Sequence, residues 1–285
     1  MHPKAIAFMR AVVPRRVRNS LRSPAKLARW CWDSAKFSLG TIRTLQLLPD
    51  WSIRCHPEAY RVTYQAQILD QEQREEFLGF VSHCSHKTFL FDIGAHFGIF
   101  SLAAAHFGGR AVAIDPSEAA MRMVEMQAAI NGLSSRIHAI RAAASDVSGT
   151  LEMLGSGVFS HGYLRVVKGR SKHDLTQVNA LTIDEMAQAF GVPTHIKVDV
   201  EGHEHAVLRG ARETLSKSLP ILFLELHNEM IRSEGLDANA ILDQLHQIGY
   251  CTFTAKGELA SRDAILSRPI VRIICKPRAF SRTPI

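Results

Sequence analysis

Residues 91–98 read FDIGAHFG. They close an apolar β-like run, TFLFDI (88–93), break it with Gly94, and lead into FGIFSLAAAHF, which has helical spacing. A strand that turns through glycine into a helix is where doubly wound α/β folds bind a nucleotide. The turn is not G-x-G-x-x-G: Gly94 and Gly98 stand four apart, and Asp92 lies two residues before the first glycine. A dinucleotide would lay its pyrophosphate on this turn, where a carboxylate repels it by about a kcal/mol or more in a low-dielectric cleft. S-adenosylmethionine has no phosphate and carries a sulfonium and an ammonium, so the same carboxylate attracts it. The expected contacts on this turn are Asp92, Gly94, Ala95, His96, Phe97 and Gly98.

Outward from the turn, strand and helix signals alternate: RAVAID (110–115), a helix opened by Pro116 and Ser117 and closed by Asn131-Gly132, then IHAIRAAAS (137–145). That rhythm predicts a parallel sheet covered on both faces. Asp115, 21 residues after Gly94, ends the second strand where a carboxylate can accept both ribose hydroxyls, or can cap the helix after Pro116. Ser145 and Asp146 follow the third strand, where an adenine amino group would lie. After GTLEML (149–154), residues 155–177 form a Gly-, Ser- and base-rich loop, read as a lid or as plain surface. A short helix over 183–191, a strand over 195–200, a helix over 203–216, strands over 220–226, 250–257 and 271–276 and a helix over 236–248 complete about seven strands.

The stretch HIKVDVEGHEH (195–205) poses a second question, because Lys197, Asp199 and Glu201 alternate with Ile196, Val198 and Val200. Alternation puts the three charges on one face, where burial demands partners. The next strand supplies Glu225 and His227, also two apart, and a helical crossover makes the two strands parallel neighbours. The five side chains then converge at the carboxyl ends of the strands. Asp199 or His227 would take a proton from an acceptor hydroxyl, with Lys197 holding the developing alkoxide or tuning the acid. The same ligands could instead hold a divalent metal, which is not predicted, because the spacing fits no standard motif and His203-Glu204-His205 is not H-E-x-x-H. A plain ion-pair tie between Lys197 and Glu225 is the structural alternative.

FDIGAHFGIFS, AIDPSEAAMRMVEMQAAIN, AAASDVSGTLEM, LTIDEM, IKVDVEGHEHAVLRGA and ILFLELH, in this order, closely resemble the FkbM family of S-adenosylmethionine-dependent methyltransferases over roughly residues 88–228. The resemblance implies a class I methyltransferase fold, a Rossmann-like, doubly wound, mostly parallel seven-stranded sheet, and O-methylation of hydroxyls on sugars or natural-product scaffolds. It implies cofactor contacts at Asp92, Gly94, Gly98 and Asp115 and puts the signature lysine and acids at Lys197, Asp199 and Glu201. The chain departs from the family at His96, where Asn is usual, and at Asp115, where Glu is usual.

Composition bounds the rest. The chain has 285 residues, 46% of them hydrophobic, and a net charge of +7. That charge is concentrated: residues 1–54 carry +9 and the remainder −2. We therefore expect a basic, mainly helical N-terminal extension over 1–55 and a near-neutral methyltransferase domain over 56–285. Five scattered cysteines predict neither a disulfide framework nor a thiolate metal site, hence a cytoplasmic setting. The expected function is an O-methyltransferase acting on a sugar, glycolipid or natural-product-like small molecule. His161, Arg165, Lys168 and Arg170 of the lid would suit an anionic or sugar-bearing acceptor, unless they form a solvated basic loop. No nucleic acid partner is expected, and the basic N-terminus would make any peripheral membrane contact. The rivals are a nicotinamide-dependent oxidoreductase, which Asp92 opposes, and a non-catalytic domain whose basic arm binds lipid or nucleic acid.

Overall fold

The computed structural model describes residues 28, 31–32, 35–36, 41–154, 165–166 and 175–278. The strands are β1 (Arg43–Leu48), β2 (Trp51–Cys55), β3 (Phe89–Ile93), β4 (Arg110–Asp115), β5 (Ile137–Arg141), β6 (Ala143–Ala144), β7 (Gly149–Leu154), β8 (Arg165–Val166), β9 (Leu175–Leu181), β10 (His195–Val198), β11 (Ile221–His227), β12 (Tyr250–Thr254) and β13 (Ile270–Pro277). The principal helices are α1 (Gln71–Val81), α2 (Ile99–His106), α3 (Glu118–Ile130), α4 (Ile183–Phe190), α5 (Glu204–Arg209), α6 (Arg212–Ser218), α7 (Asn228–Ser233), α8 (Ala238–Ile248) and α9 (Arg262–Leu266).

Seven strands form the main sheet in the order β12-β13-β11-β10-β3-β4-β5. β11, β10, β3, β4 and β5 run parallel, and β13 is antiparallel to both its neighbours. The interior strand β3 is buried at every position, as a strand covered on both faces must be. Its alternate residues feed two cores: Phe89, Phe91 and Ile93 face the side covered by α4, α5, α6 and α8, while Leu90 faces α1, α2 and α3. Local signals start the helices as the sequence indicates. Ser117 caps α3 through Ala120 N–H, and Thr182 with Glu185 forms a reciprocal capping box on α4.

Five features differ from expectation. Residues 137–145 split at Ala142, so that β5 stays in the main sheet and β6 joins β9, β7 and β8 in a separate four-stranded sheet. The strand expected over 195–200 ends at Val198, and the helix over 203–216 is two helices parted at Gly210. Part of the expected lid is ordered strand, with β8 pairing β7; His161, Lys168 and Arg170 lie outside the described residues. The mainly helical extension is corrected over Arg43–Cys55, which forms an antiparallel hairpin. Its sequence alternates with period two, and Leu45, Leu47, Trp51, Ile53 and Cys55 enter the core beside Tyr64, Phe77 and Phe100. Residues 1–27 of that segment lie outside the described residues. All five cysteines are free thiols. Among the described residues, no helix is long and apolar enough to cross a membrane.

Candidate active site

A cavity of about 350 Å³ opens at the carboxyl ends of β3, β4, β10 and β11. One end is built by the glycine turn. Gly94 has φ +75°, and a Cβ there would lie 1.8 Å from the Asp199 carbonyl oxygen, so only glycine lets the turn approach the end of β10. His96 also adopts a left-handed φ of 49°, a region that Asn, Asp and His enter more readily than other side-chain-bearing residues. Thr63 Oγ1 meets His96 Nδ1 at 2.9 Å, and Tyr64 donates its hydroxyl to the Phe97 carbonyl, so the helical segment before α1 straps down the turn.

Asp92 and Asp115 are both buried at the tips of their strands. Asp92 Oδ2 accepts from Ser101 N–H at 3.1 Å and from its hydroxyl at 2.6 Å. Asp115 accepts from His96 N–H at 3.1 Å and Ser117 N–H at 2.8 Å. Burial pushes Asp92 up to about 6 and Asp115 up to about 7, against the hydrogen bonds that favour the charged forms. Among the described residues neither carboxylate has a cation within ion-pair reach. Two such acids facing a cavity fit a positively charged nucleoside without phosphate and oppose a pyrophosphate. Asp115 does not cap α3; Ser117 does.

The other end holds the charges of β10. Lys197 and Asp92 sit opposite each other in the parallel register, and Ile196 and Val198 enter the opposite core, as alternation requires. Lys197 is 2% exposed. Its ammonium lies 2.8 Å from Glu76 of α1, 3.7 Å from Glu225 and 3.8 Å from Asp199. Burial opposes that charge, but Glu76, Asp199 and Glu225 hold the lysine above its ordinary value. Arg272, opposite Glu225 on β13, reaches Glu225 at 2.6 Å and Glu76 at 3.1 Å. Burial and the nearby Asp199 raise Glu225 despite these cations, so the cluster carries more acid than its two bases neutralise. Lys197 is thus tied chiefly to Glu76, and the pairing expected with Glu225 is the longer one.

His227, at the end of β11, points its Nδ1 at Glu204 Oε1, 2.7 Å away. Its Nε2 lies 3.9 Å from Asp199 and 3.8 Å from Glu225. Burial works against protonation, but Glu204, with Asp199 and Glu225, raises the imidazole above its ordinary value. Asp199, Glu225 and His227 offer ligand atoms within 4.8 Å of one another, which is a metal-sized group. The lysine ammonium and the Arg272 guanidinium already face those two carboxylates, an arrangement that works against a further dication.

Of the turn and strand-tip residues singled out in the sequence, Asp92, Gly94, Ala95, His96, Asp115 and Pro116 line the cavity, as do Lys197, Asp199, Glu201, Glu225 and His227. Phe97 is buried in the core, and Gly98 caps α2 with φ 73°. Ser145 and Asp146 have protein partners: Ser145 Oγ meets Nε2 of the cavity-lining His203 at 3.1 Å, and Asp146 pairs with Arg209 at 2.7 Å. Sequence reasoning missed Glu76, Glu204 and Arg272. Arg272 carried the same signal as Lys197, a charge inside the apolar run VRIIC, whereas Glu76 sits in an ordinary polar helix with nothing to mark it.

Residues 92–251 match the model of the methyltransferase FkbM domain, which is more than half of the chain. The chain belongs to the FkbM methyltransferase family. Its main sheet is α/β in setting, mostly parallel and seven-stranded. Solved structures similar to this FkbM chain include methyltransferase FkbM from Methylobacillus flagellatus KT, at 19% identity and a TM-score of 0.44 over 67% of this chain and 44% of that one. The precorrin-6y C5,15-methyltransferase from Geobacter metallireducens GS-15 is 14% identical, with a TM-score of 0.43 over 75% of this chain and 92% of that one. An rRNA methylase from Streptococcus thermophilus is 10% identical, with a TM-score of 0.43 over 74% of this chain and 98% of that one. The FkbM chain thus spans less than half of the Methylobacillus protein. No curated protein matches it.

Proposed function

We propose that this FkbM protein transfers the methyl group of S-adenosylmethionine to a hydroxyl of a small molecule of the sugar, glycolipid or natural-product type. The observation that carries the reading is one cavity with two chemistries: buried acids at Asp92 and Asp115 around the glycine turn, and an acid and an imidazole, Asp199 and His227, across from them. S-adenosylmethionine, when bound, supplies an electrophilic methyl group on a sulfonium. Asp92, Gly94 and Asp115 would hold its nucleoside and charged tail, and the strap at Thr63 and Tyr64 keeps the turn in shape. On the acceptor side, His227 Nε2 takes the hydroxyl proton while Asp199, 36% exposed to the cavity, orients the acceptor. Lys197 is held by Glu76 as a fixed ammonium and serves as a buried positive charge near the developing alkoxide.

Membership of a methyltransferase family speaks against the nicotinamide reading, and the acids at the turn oppose a pyrophosphate. The test is incubation with isotope-labelled cofactor and a panel of sugars, polyols and host extract, followed by product mass spectrometry. A labelled methyl ether is expected. Binding of the cofactor without transfer to any member of the panel would favour an idle binding domain.

A further inference from the structure

We propose that Glu204 is a positioning residue: it locks His227 in the Nδ1–H tautomer and thereby makes Nε2 the atom that takes the acceptor's proton. The proposal rests on the methyl-transfer reading above. Glu204 opens α5, and its side chain is 0% exposed. A single oxygen, Oε1, receives both the His227 ring at 2.7 Å and the Gly202 N–H at 3.0 Å. Its other oxygen is buried with no hydrogen-bond partner among the described residues. A buried carboxylate half satisfied in this way is a poor investment for stability alone. An ionised carboxylate only accepts, so the ring nitrogen facing it must carry the proton. The opposite nitrogen, Nε2, then presents its lone pair to the cavity that His227 lines.

The remaining groups around the ring suit a base. Asp199, just past the end of β10, and Glu225 from β11 lie 3.9 and 3.8 Å from Nε2 and stabilise the imidazolium as it forms. Arg272 from β13 and Lys197 from β10 bear on His227 only through those carboxylates, and Glu76 from α1 holds Lys197 in turn. Lys197 is itself excluded as the base, because Glu76 holds it as an ammonium. In the step, the acceptor's O–H bond breaks, its proton goes to Nε2, and the electron pair stays on the oxygen that accepts the methyl group. The imidazolium later returns the proton to water. Glu204 touches neither reactant; it sets which nitrogen is free, as the second carboxylate of a histidine dyad does.

Two-bond ¹⁵N–¹H spectra of histidine-labelled protein without cofactor, recorded from pH 5 to 9 with His227→Asn for assignment, test the tautomer directly. The wild type is expected to show neutral His227 protonated at Nδ1. Glu204→Gln should mix the two tautomers and lower the ring's protonation midpoint, and Glu204→Asp should restore part of both. In labelled-methyl transfer to a fixed acceptor extract, Glu204→Gln should lower kcat about 100-fold, move the acid limb of the pH profile with the ring's midpoint, and leave S-adenosylmethionine affinity unchanged. A wild-type Nε2–H tautomer, or a Glu204→Gln protein with the wild-type tautomer and rate, overturns the proposal while methyl transfer stands. The expected tautomer in a protein that never transfers methyl overturns the methyl-transfer reading, and the base role with it. Selective broadening of the His227 resonances by micromolar Mn²⁺ would assign Nε2 to a metal and also overturn it.

Discussion

Asp92 and Asp115 each cost the folded protein something, because each is a carboxylate buried at a strand tip, where burial outweighs the hydrogen bonds and, for Asp92, the nearby Lys197 charge that favour ionisation. Their folded values, about 6 and about 7, stand above the ordinary 3.8. The folded state therefore holds extra protons between those limits, and the stability these groups contribute is full below about 3.8 and lost as pH rises through 6 to 7. A cationic cofactor wants the opposite, ionised carboxylates. Its melting-temperature increment should thus be larger at pH 8 than at pH 5.5, and an increment that shrinks over that range would contradict the assignment. The two ends of the cavity also separate by mutation. Asp92→Asn should weaken S-adenosylmethionine binding about tenfold. Asp199→Asn should leave it nearly unchanged and slow turnover about 100-fold. Calorimetry beside labelled-methyl rates reads both, and equal affinity losses would show that the roles are not divided this way.

At the scale of elements, three strands and one helix are tied through two buried cations. Lys197 of β10 joins Glu76 of α1 to Glu225 of β11, and Arg272 of β13 closes the circuit. Replacing Lys197 with Met leaves Glu76 and Glu225 buried together with one cation between them, and should cost about 3–5 kcal/mol in urea unfolding. A loss below about 1 kcal/mol would mean that the network relaxes or protonates without strain. Much of this was legible beforehand. Period-two charges in HIKVDVE and ILFLELH fixed the shared face, and the parallel register followed from the intervening helices. Glu76 was not legible, because its partner lies more than a hundred residues away and a surface-type helix sequence does not reveal which acid turns inward. Glu204 was read as part of GHEH and set aside when the zinc spacing failed, although its burial against His227 is what gives it a role. Ser145 and Asp146 were legible as strand-end residues beside the cleft, but their partners His203 and Arg209 were not, because both come from a helix and its N-cap some sixty residues on.

For the whole molecule, the charge step near residue 55 is not a structural seam. The hairpin Arg43–Cys55 lies on the charged side of that step, yet Trp51 stacks on His106 at 4.3 Å and meets Phe77 and Phe107. Composition averages over such a segment, whereas the alternation of RTLQLL and WSIRC records its buried face. Trp51→Ala should therefore cost about 3–5 kcal/mol by calorimetric unfolding, and a chain begun at Pro57 should fail to melt cooperatively. Wild-type stability in either variant would make the hairpin an appendage. The function of the molecule depends on which nucleoside the acid-tipped turn accepts. Isothermal titration at pH 8 with S-adenosylmethionine and, separately, with NAD asks this directly. Saturable heat with S-adenosylmethionine, reduced in Asp92→Asn, and none with NAD is the predicted result; heat with NAD and none with S-adenosylmethionine would contradict the central claim.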